Sequence, residues 1–438
     1  MLKKIHFALL IVTLATLLAA CQGPEQETGP NKEKQVAREQ DSLIFWHVLT
    51  QRNGDLLTEI VEEYNAGNPA MPITLRYAGN YTDMFRKVRL AVKAGDVPDM
   101  IVAYPAMIAE YHAMNAVAPL DPYINDPEIG LSEESLDDIF ETVLENCRYP
   151  EFGDQYLTFP FTKSVLMMYA NTDLIKQAGY TGIPETWEDF MKQCLTLKEM
   201  GKNGYALSVD ASTYDAIVYS LGGTLVDAQT RKTHFDQPEA VQAFRIIQDM
   251  VEKGGAVQID REGYGDRQEF AAGNCGFMIR SSTTRPYLEN DIQGAFNWDM
   301  SIIPHGKGAT PQTVQFGADI AIMKTSEKRQ RAAWEFVKFF SSRETTARWS
   351  VGTGYLPVRK SAVETEIVQE FLKENLRNTR ALNTLPQARP EPSLRGWQAV
   401  RNLIEQAESQ AIGGRKSPEE IGEELKAKAD AALEQAVR

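Results

Sequence analysis

From residue 42 to residue 103 the chain alternates short apolar runs with amphipathic ones, and this limits its fold more than any other feature. Residues 42–48, S-L-I-F-W-H-V, form one apolar run of strand length. Residues 54–65 place Leu56, Leu57, Ile60, Val61 and Tyr64 at helical spacing. Residues 73–77 alternate as a strand after Pro72, residues 82–93 return to helical spacing, and residues 99–103 are apolar again. A β-α-β-α-β order with short connections builds a parallel sheet with helices on its faces. Ligands of such sheets sit beyond the carboxyl ends of the strands. Here those ends carry Trp46 and His47, then Gly79, Asn80 and Tyr81, then Tyr104.

The same two periodicities continue. Residues 153–161 and 163–171 read as strands separated by Pro160. Thr186 caps a helix to about residue 200, with Asp189 at the third position, and residues 206–209 form a strand. Helices follow over 214–221 and 238–252, a strand over 297–304, and two strand halves around Gly317 within 314–323. Trp334, Val337 and Phe340 mark an amphipathic helix over 328–341, and residues 364–377 are helical again. Ser417-Pro418-Glu419-Glu420 opens the last helix, with serine as cap and proline in the first turn. A chain of 438 residues, 43% hydrophobic, can fill the cores of two or three domains.

The N-terminus reads as a leader rather than as fold. Lys3 and Lys4 precede an apolar stretch over 9–18 that is too short to span a bilayer. Two alanines directly before Cys21 resemble a bacterial lipobox. That resemblance implies removal of residues 1–20 and diacylation of Cys21, a lipid anchor to the membrane. Residues 22–40 are polar and without periodicity, a tether. Export implies an oxidising setting, yet only Cys147, Cys194 and Cys275 remain, too few for a disulfide scaffold. The formal charge of −14 argues against nucleic acid and against binding an anionic bilayer by charge. An anionic ligand would need a local basic pocket.

Residues 270–285, F-A-A-G-N-C-G-F-M-I-R-S-S-T-T-R, combine a helix end, a strand and four hydroxyls before another helix. Gly273 suits a left-handed stop. Hydroxyls and free N–H groups at a helix start can hold an anion, although they can equally be mere caps. No phosphate loop, dinucleotide fingerprint, zinc-protease helix or nucleophile elbow occurs, and the histidines have no metal spacing. The chain therefore reads as a binder rather than an enzyme, with no cofactor.

Five motifs stand in order: the lipobox, then F-W-H, V-K-A-G-D-V-P-D-M, F-A-A-G-N-C-G-F-M and T-G-Y-L-P-V. Together they resemble the extracellular solute-binding proteins of ABC importers, the large type that captures sugars and related solutes. The resemblance implies an α/β, two-lobed periplasmic-binding-protein fold of type II, with discontinuous lobes, a hinge of several strands and ligand in the cleft. The first lobe is expected over 42–153 with 284–327, the second over 154–283 with 328–438. It implies a monomer whose partners are a small solute and the permease subunits. Within the family the nearest likeness is to members that bind glycerol-3-phosphate and glycerophosphodiesters. Carried over residue by residue, it implies ligand contacts at Tyr81, Ser282, Gly317, Tyr355 and Arg395, with Arg395 as the guanidinium fork for phosphate. Ser281 would donate beside Ser282, Ser164 could reach the cleft, and Trp46 and Tyr104 offer stacking surfaces. Two departures keep a neutral sugar open as the ligand. The acidic residue expected for glycerol hydroxyls falls at Pro105, and an aromatic contact expected near Asp210 and Ala211 is not evident.

Overall fold

The computed structural model describes residues 42–260 and 264–438. The expected leader, Cys21 and the tether lie outside the described residues.

Leu43–His47 (β1), Gln51–Ala66 (α1), Ile73–Tyr77 (β2), Tyr81–Ala94 (α2), Met100–Ala103 (β3) and Pro105–Ala113 (α3) follow in turn. Their local chemistry explains them. The Asn80 side chain accepts from the Asp83 N–H to start α2, and Gly95, at φ +70°, ends it. All four residues of β3 are buried, as suits a central strand paired on both edges. β1 pairs in parallel with both β2 and β3.

Phe159–Pro160 (β4) closes this first sheet, and the chain crosses to Ser164–Asn171 (β5), eight buried residues in a second sheet. Trp187–Glu199 (α4), Asn203–Leu207 (β6), Ala211–Ser220 (α5), Pro238–Glu252 (α6), Ala256–Gln258 (β7), Gly265–Ala271 (α7) and Cys275–Ser281 (β8) come next. Arg285–Ile292 (α8), Trp298–Ser301 (β9), Thr313–Phe316 (β10), Asp319–Ile322 (β11), Glu327–Phe340 (α9) and Arg343–Thr353 (α10) follow. Leu376–Thr384 (α11), Ala388–Pro390 (β12), Trp397–Ile412 (α12) and Pro418–Gln435 (α13) complete the chain. Ser417 and Glu420 form the expected reciprocal cap of α13.

The first sheet runs β2-β1-β3-β11-β4 and the second β7-β6-β8-β5-β10-β12, with β9 on the other half of β5. Strand pairing therefore divides the chain differently from the expected boundaries. Residues 298–316 belong to the second sheet, because the long edge of β5 accepts β9 and β10 in succession. The chain returns at 317–318, where β11 pairs antiparallel with β3 and β4. Helices α9 and α10 then pack on β1, β11 and α1, in the first half rather than the second. α11 packs on β5 and β9, so a third crossing lies between α10 and α11.

Each sheet has its own aromatic core. Phe45, Phe161, Phe336 and Phe340 meet edge-on or tilted in the first, with Trp334 against Phe159. Phe190 packs on Tyr205 and Phe277 in the second, and Tyr214 stacks on Phe244. Each such buried ring contributes about 1.5–3 kcal/mol over leaving it exposed. Cys147, Cys194 and Cys275 are buried and unbridged.

Candidate functional site

Two antiparallel crossings, 161–163 and 317–318, join the sheets. The Thr162 N–H donates to the Ala318 carbonyl at 3.0 Å, the Thr162 hydroxyl donates to that carbonyl at 3.2 Å, and the Ala318 N–H donates to the Thr162 hydroxyl at 3.0 Å. Gly317 makes this approach possible. Its φ is +142°, and a Cβ there would lie 1.8 Å from the Thr162 carbonyl oxygen. Beside it, Lys163 Nζ and Asp319 Oδ1 pair at 2.7 Å, both fully buried, and Lys163 also donates to Asn146 at 3.1 Å. Burial pushes the Asp319 carboxyl up, with the lysine pulling the other way.

Three tyrosines converge on this hinge. Tyr81 begins α2, and its ring lies 4.2 Å from that of Tyr104, the residue before α3. Burial raises the Tyr81 phenol well above its ordinary value, and Tyr104, Tyr355 and Asp319 add to the rise. Tyr355 follows Gly354, which turns the chain at φ +82° after α10. Its ring stacks on Trp349, centroids 6.3 Å apart and 5° from parallel, and the next residue, Leu356, donates its N–H to the Lys163 carbonyl at 2.8 Å. Burial raises this phenol too. Tyr81 and Tyr355 therefore stay protonated and offer neutral O–H donors.

Next to Tyr104 is a cavity of about 110 Å³ between the two halves. Tyr104 and Pro105 line it from the first half, and Phe316, Glu391, Trp397 and Arg401 from the second. Asp210 and Ser212 join them at the carboxyl end of β6, where the Asp210 side chain accepts from the Ser212 N–H to cap α5. The Ser212 hydroxyl donates to Glu391 Oε1 at 2.7 Å, and Arg401 Nη1 donates to the same oxygen. Arg401 Nη2 donates to the Ser212 hydroxyl at 3.1 Å and lies 3.8 Å from Asp210. Burial opposes the charge on Arg401, but Glu391, Asp210 and Asp215 more than offset it and hold its pKa up. Asp215 and Glu408 lie behind this wall, and burial first, then the neighbouring carboxyls, pushes both well above the carboxylate range.

The residues singled out by sequence fall into three groups. Tyr81, Tyr104, Tyr355 and Gly317 come together at the hinge. Ser164, Ser281 and Ser282 lie close by but are engaged in local structure. The Ser164 hydroxyl donates to the Phe316 carbonyl at 3.3 Å, and Ser282 Oγ accepts from the Val165 N–H at 3.4 Å. Ser281 Oγ accepts from the Thr283 N–H at 3.2 Å and caps a short 3₁₀ turn. Arg395 and Trp46 have other neighbours. Arg395 Nε donates to Glu151 Oε1 at 2.5 Å and its backbone N–H to Oε2 at 3.1 Å, with the guanidinium over the Phe152 ring. Arg231 pairs with the same carboxylate at 2.9 Å. The guanidinium that shares a cavity with Ser282 and Tyr355 is Arg285, and that space, about 20 Å³, holds no more than a water. Trp46 is half-buried in β1, in register with Arg76 and Ile101.

Sequence reasoning passed over Glu391, Trp397 and Arg401. A signal was present, since Trp397 and Arg401 are four apart and share one face of α12. Gly396, at φ +84°, separates Arg395 from that face and sends it toward Glu151.

Comparison with known proteins agrees with this architecture. The family model of bacterial extracellular solute-binding proteins matches residues 59–373. The sn-glycerol-3-phosphate-binding periplasmic protein UgpB of Escherichia coli K12 is 23% identical over 398 residues, covering 86% of this chain and 89% of that protein. Among solved structures, the cyclic α-maltosyl-1,6-maltose binding protein of Arthrobacter globiformis superposes with a TM-score of 0.78 at 20% identity, over 90% of this chain and 99% of its own. UgpB of Mycobacterium tuberculosis in complex with glycerophosphocholine also gives 0.78, at 22% identity, over 91% and 99%. Two sheets joined by crossing strands, a cleft lined from both halves, and these likenesses lead to one conclusion: the chain belongs to the bacterial extracellular solute-binding proteins, the substrate-binding components of ABC importers.

Proposed function

We propose that the cleft captures glycerol-3-phosphate or a glycerophosphodiester and delivers it to the permease, without chemical change to the solute. The observation that carries this reading is the convergence of Tyr81, Tyr104 and Tyr355 on the hinge, from three separate segments of the first half. Protonated phenols donate to phosphate oxygens without adding charge, and their rings cover the ester's carbon chain. Closure of the halves over the solute presents one surface to the permease. The names of the glycerol-phosphate-binding relatives support the same class. An affinity near 1 μM corresponds to about −8 kcal/mol.

A second reading, a neutral oligosaccharide, draws on the carboxylates Asp210 and Glu391 beside aromatic rings, and on the maltoside-binding relative. Native mass spectrometry of freshly purified protein, followed by calorimetry with glycerol-3-phosphate, glycerophosphocholine and maltotriose, separates the two. Heat from maltotriose alone would reject the phosphate ester. The mature chain is proposed to be a monomer held to the membrane through lipidated Cys21; Cys21→Ala should release it to the soluble fraction, and its retention in membranes would overturn the anchor.

A further inference from the structure

The cavity beside Tyr104 has a chemistry of its own. Its first-half face brings Tyr104, Pro105 and Ala106, which hold no carboxylate. The charged acceptors come from the second half, as Asp210 and Glu391. The bonds to Glu391, from Arg401 Nη1 and the Ser212 hydroxyl, both end on Oε1. They hold Oε1 in place and leave Oε2 to accept from what enters the cavity. Arg401 is consumed in holding this wall, between Glu391, Ser212 and Asp210, and so acts as a positioning residue rather than a free anion grip.

The charge is nearly balanced as it stands. Glu391 is set against Arg401, and Asp210 against the N-terminus of α5 and the same guanidinium. A second anion would face two carboxylates with no spare cation, and a cation would find little uncompensated charge. A neutral diol meets the site on its own terms: its O–H groups donate to a carboxylate oxygen, and its C–H faces lie on Trp397, Phe316 or Tyr104. About 110 Å³ suits a three-carbon polyol end or one edge of a sugar ring.

Resting on the reading that solute lies in this cleft, we propose that Glu391 Oε2 recognises the uncharged vicinal diol of the ligand, so that the solute enters with its hydroxyl-bearing end against α12 and any phosphate toward the hinge tyrosines. Glu391→Gln keeps the shape but presents N–H₂ or a single amide oxygen where two carboxylate oxygens stood. Calorimetry compares sn-glycerol-3-phosphate with propyl phosphate, which lacks the diol, and includes maltotriose. Wild-type protein should prefer glycerol-3-phosphate, and Glu391→Gln should lower binding of glycerol-3-phosphate or maltotriose by about tenfold to a hundredfold while leaving propyl phosphate within about twofold. Glu391→Asp, which retains the charge but withdraws the oxygen, should lose the same preference and serves if the amide variant does not fold. Equal losses for glycerol-3-phosphate and propyl phosphate, or no loss for any hydroxylated ligand, overturn the inference while the receptor reading stands. A wild-type protein that binds neither phosphate ester nor sugar overturns both.

Discussion

Gly317→Ala tests the account of the hinge most directly. The substitution adds one methyl group, yet the structure gives it no room. The new Cβ would stand 1.8 Å from the Thr162 carbonyl oxygen, and backbone at φ +142° is poorly suited to any L side chain. The strained backbone alone costs about 1–3 kcal/mol. To reach ordinary contact the Thr162 carbonyl must retreat by roughly 1.5 Å or more. That shift disturbs the three Thr162–Ala318 hydrogen bonds, each of which contributes about 0.5–1.5 kcal/mol. If all three bonds were lost the sum would be about 2.5–7.5 kcal/mol, a large part of the 5–15 kcal/mol that keeps a typical domain folded. Gly308 supplies the control. Its φ is +79°, but a Cβ there meets nothing within 4 Å, so Gly308→Ala should cost only about 1–2 kcal/mol of backbone strain. Denaturant unfolding of the two variants beside the wild type measures the difference. A Gly317→Ala protein no less stable than Gly308→Ala would refute the claim that the crossings press together at this point.

Two other substitutions bear on the remaining claims. Arg395→Ala should leave ligand affinity within about threefold and reduce stability by about 1–2 kcal/mol, because Arg231 stays on Glu151 when Arg395 is lost; a tenfold loss of affinity with unchanged stability would return Arg395 to the ligand. His47 and His112 both have pKa values lowered by burial, only partly countered by backbone hydrogen bonds. Their neutral forms are favoured in the folded state, so the contribution is whole above the unfolded value near 6.5 and is lost as pH falls toward the depressed folded values. His47→Gln should flatten the stability profile below pH about 6.5, and a profile of unchanged slope would show that its burial is not felt in solution.

Local pattern carried most of the fold. The alternation over 42–103 became β1 to β3 in the expected parallel arrangement, and the caps at Thr186 and Ser417 form where hydroxyl and acid spacing placed them. Arg395 shows where such reasoning stops. It and Arg401 stand six residues apart, and nothing in their spacing says which one faces the cleft. Gly396 decides, by turning the backbone between them. The serines of 281–284 show the same ambiguity, since a hydroxyl that can donate to a ligand can also cap its own turn, and here Ser281 does the latter.

What the sequence by itself determined are the properties that depend on neighbours within a few residues: periodicity, caps, breakers, and the motifs that resemble a family of solute-binding proteins. Only the tertiary structure decided which half each segment joins. Pairing along β5 drew 298–316 into the second sheet, and packing on β1 and α1 drew α9 and α10 into the first. It likewise brought Tyr81, Tyr104 and Tyr355 to one hinge, and Asp210, Glu391 and Arg401 to one wall. The reason is physical: strand pairing and side-chain contact are set by distance in space, and the residues that meet here are separated by tens to hundreds of positions along the chain.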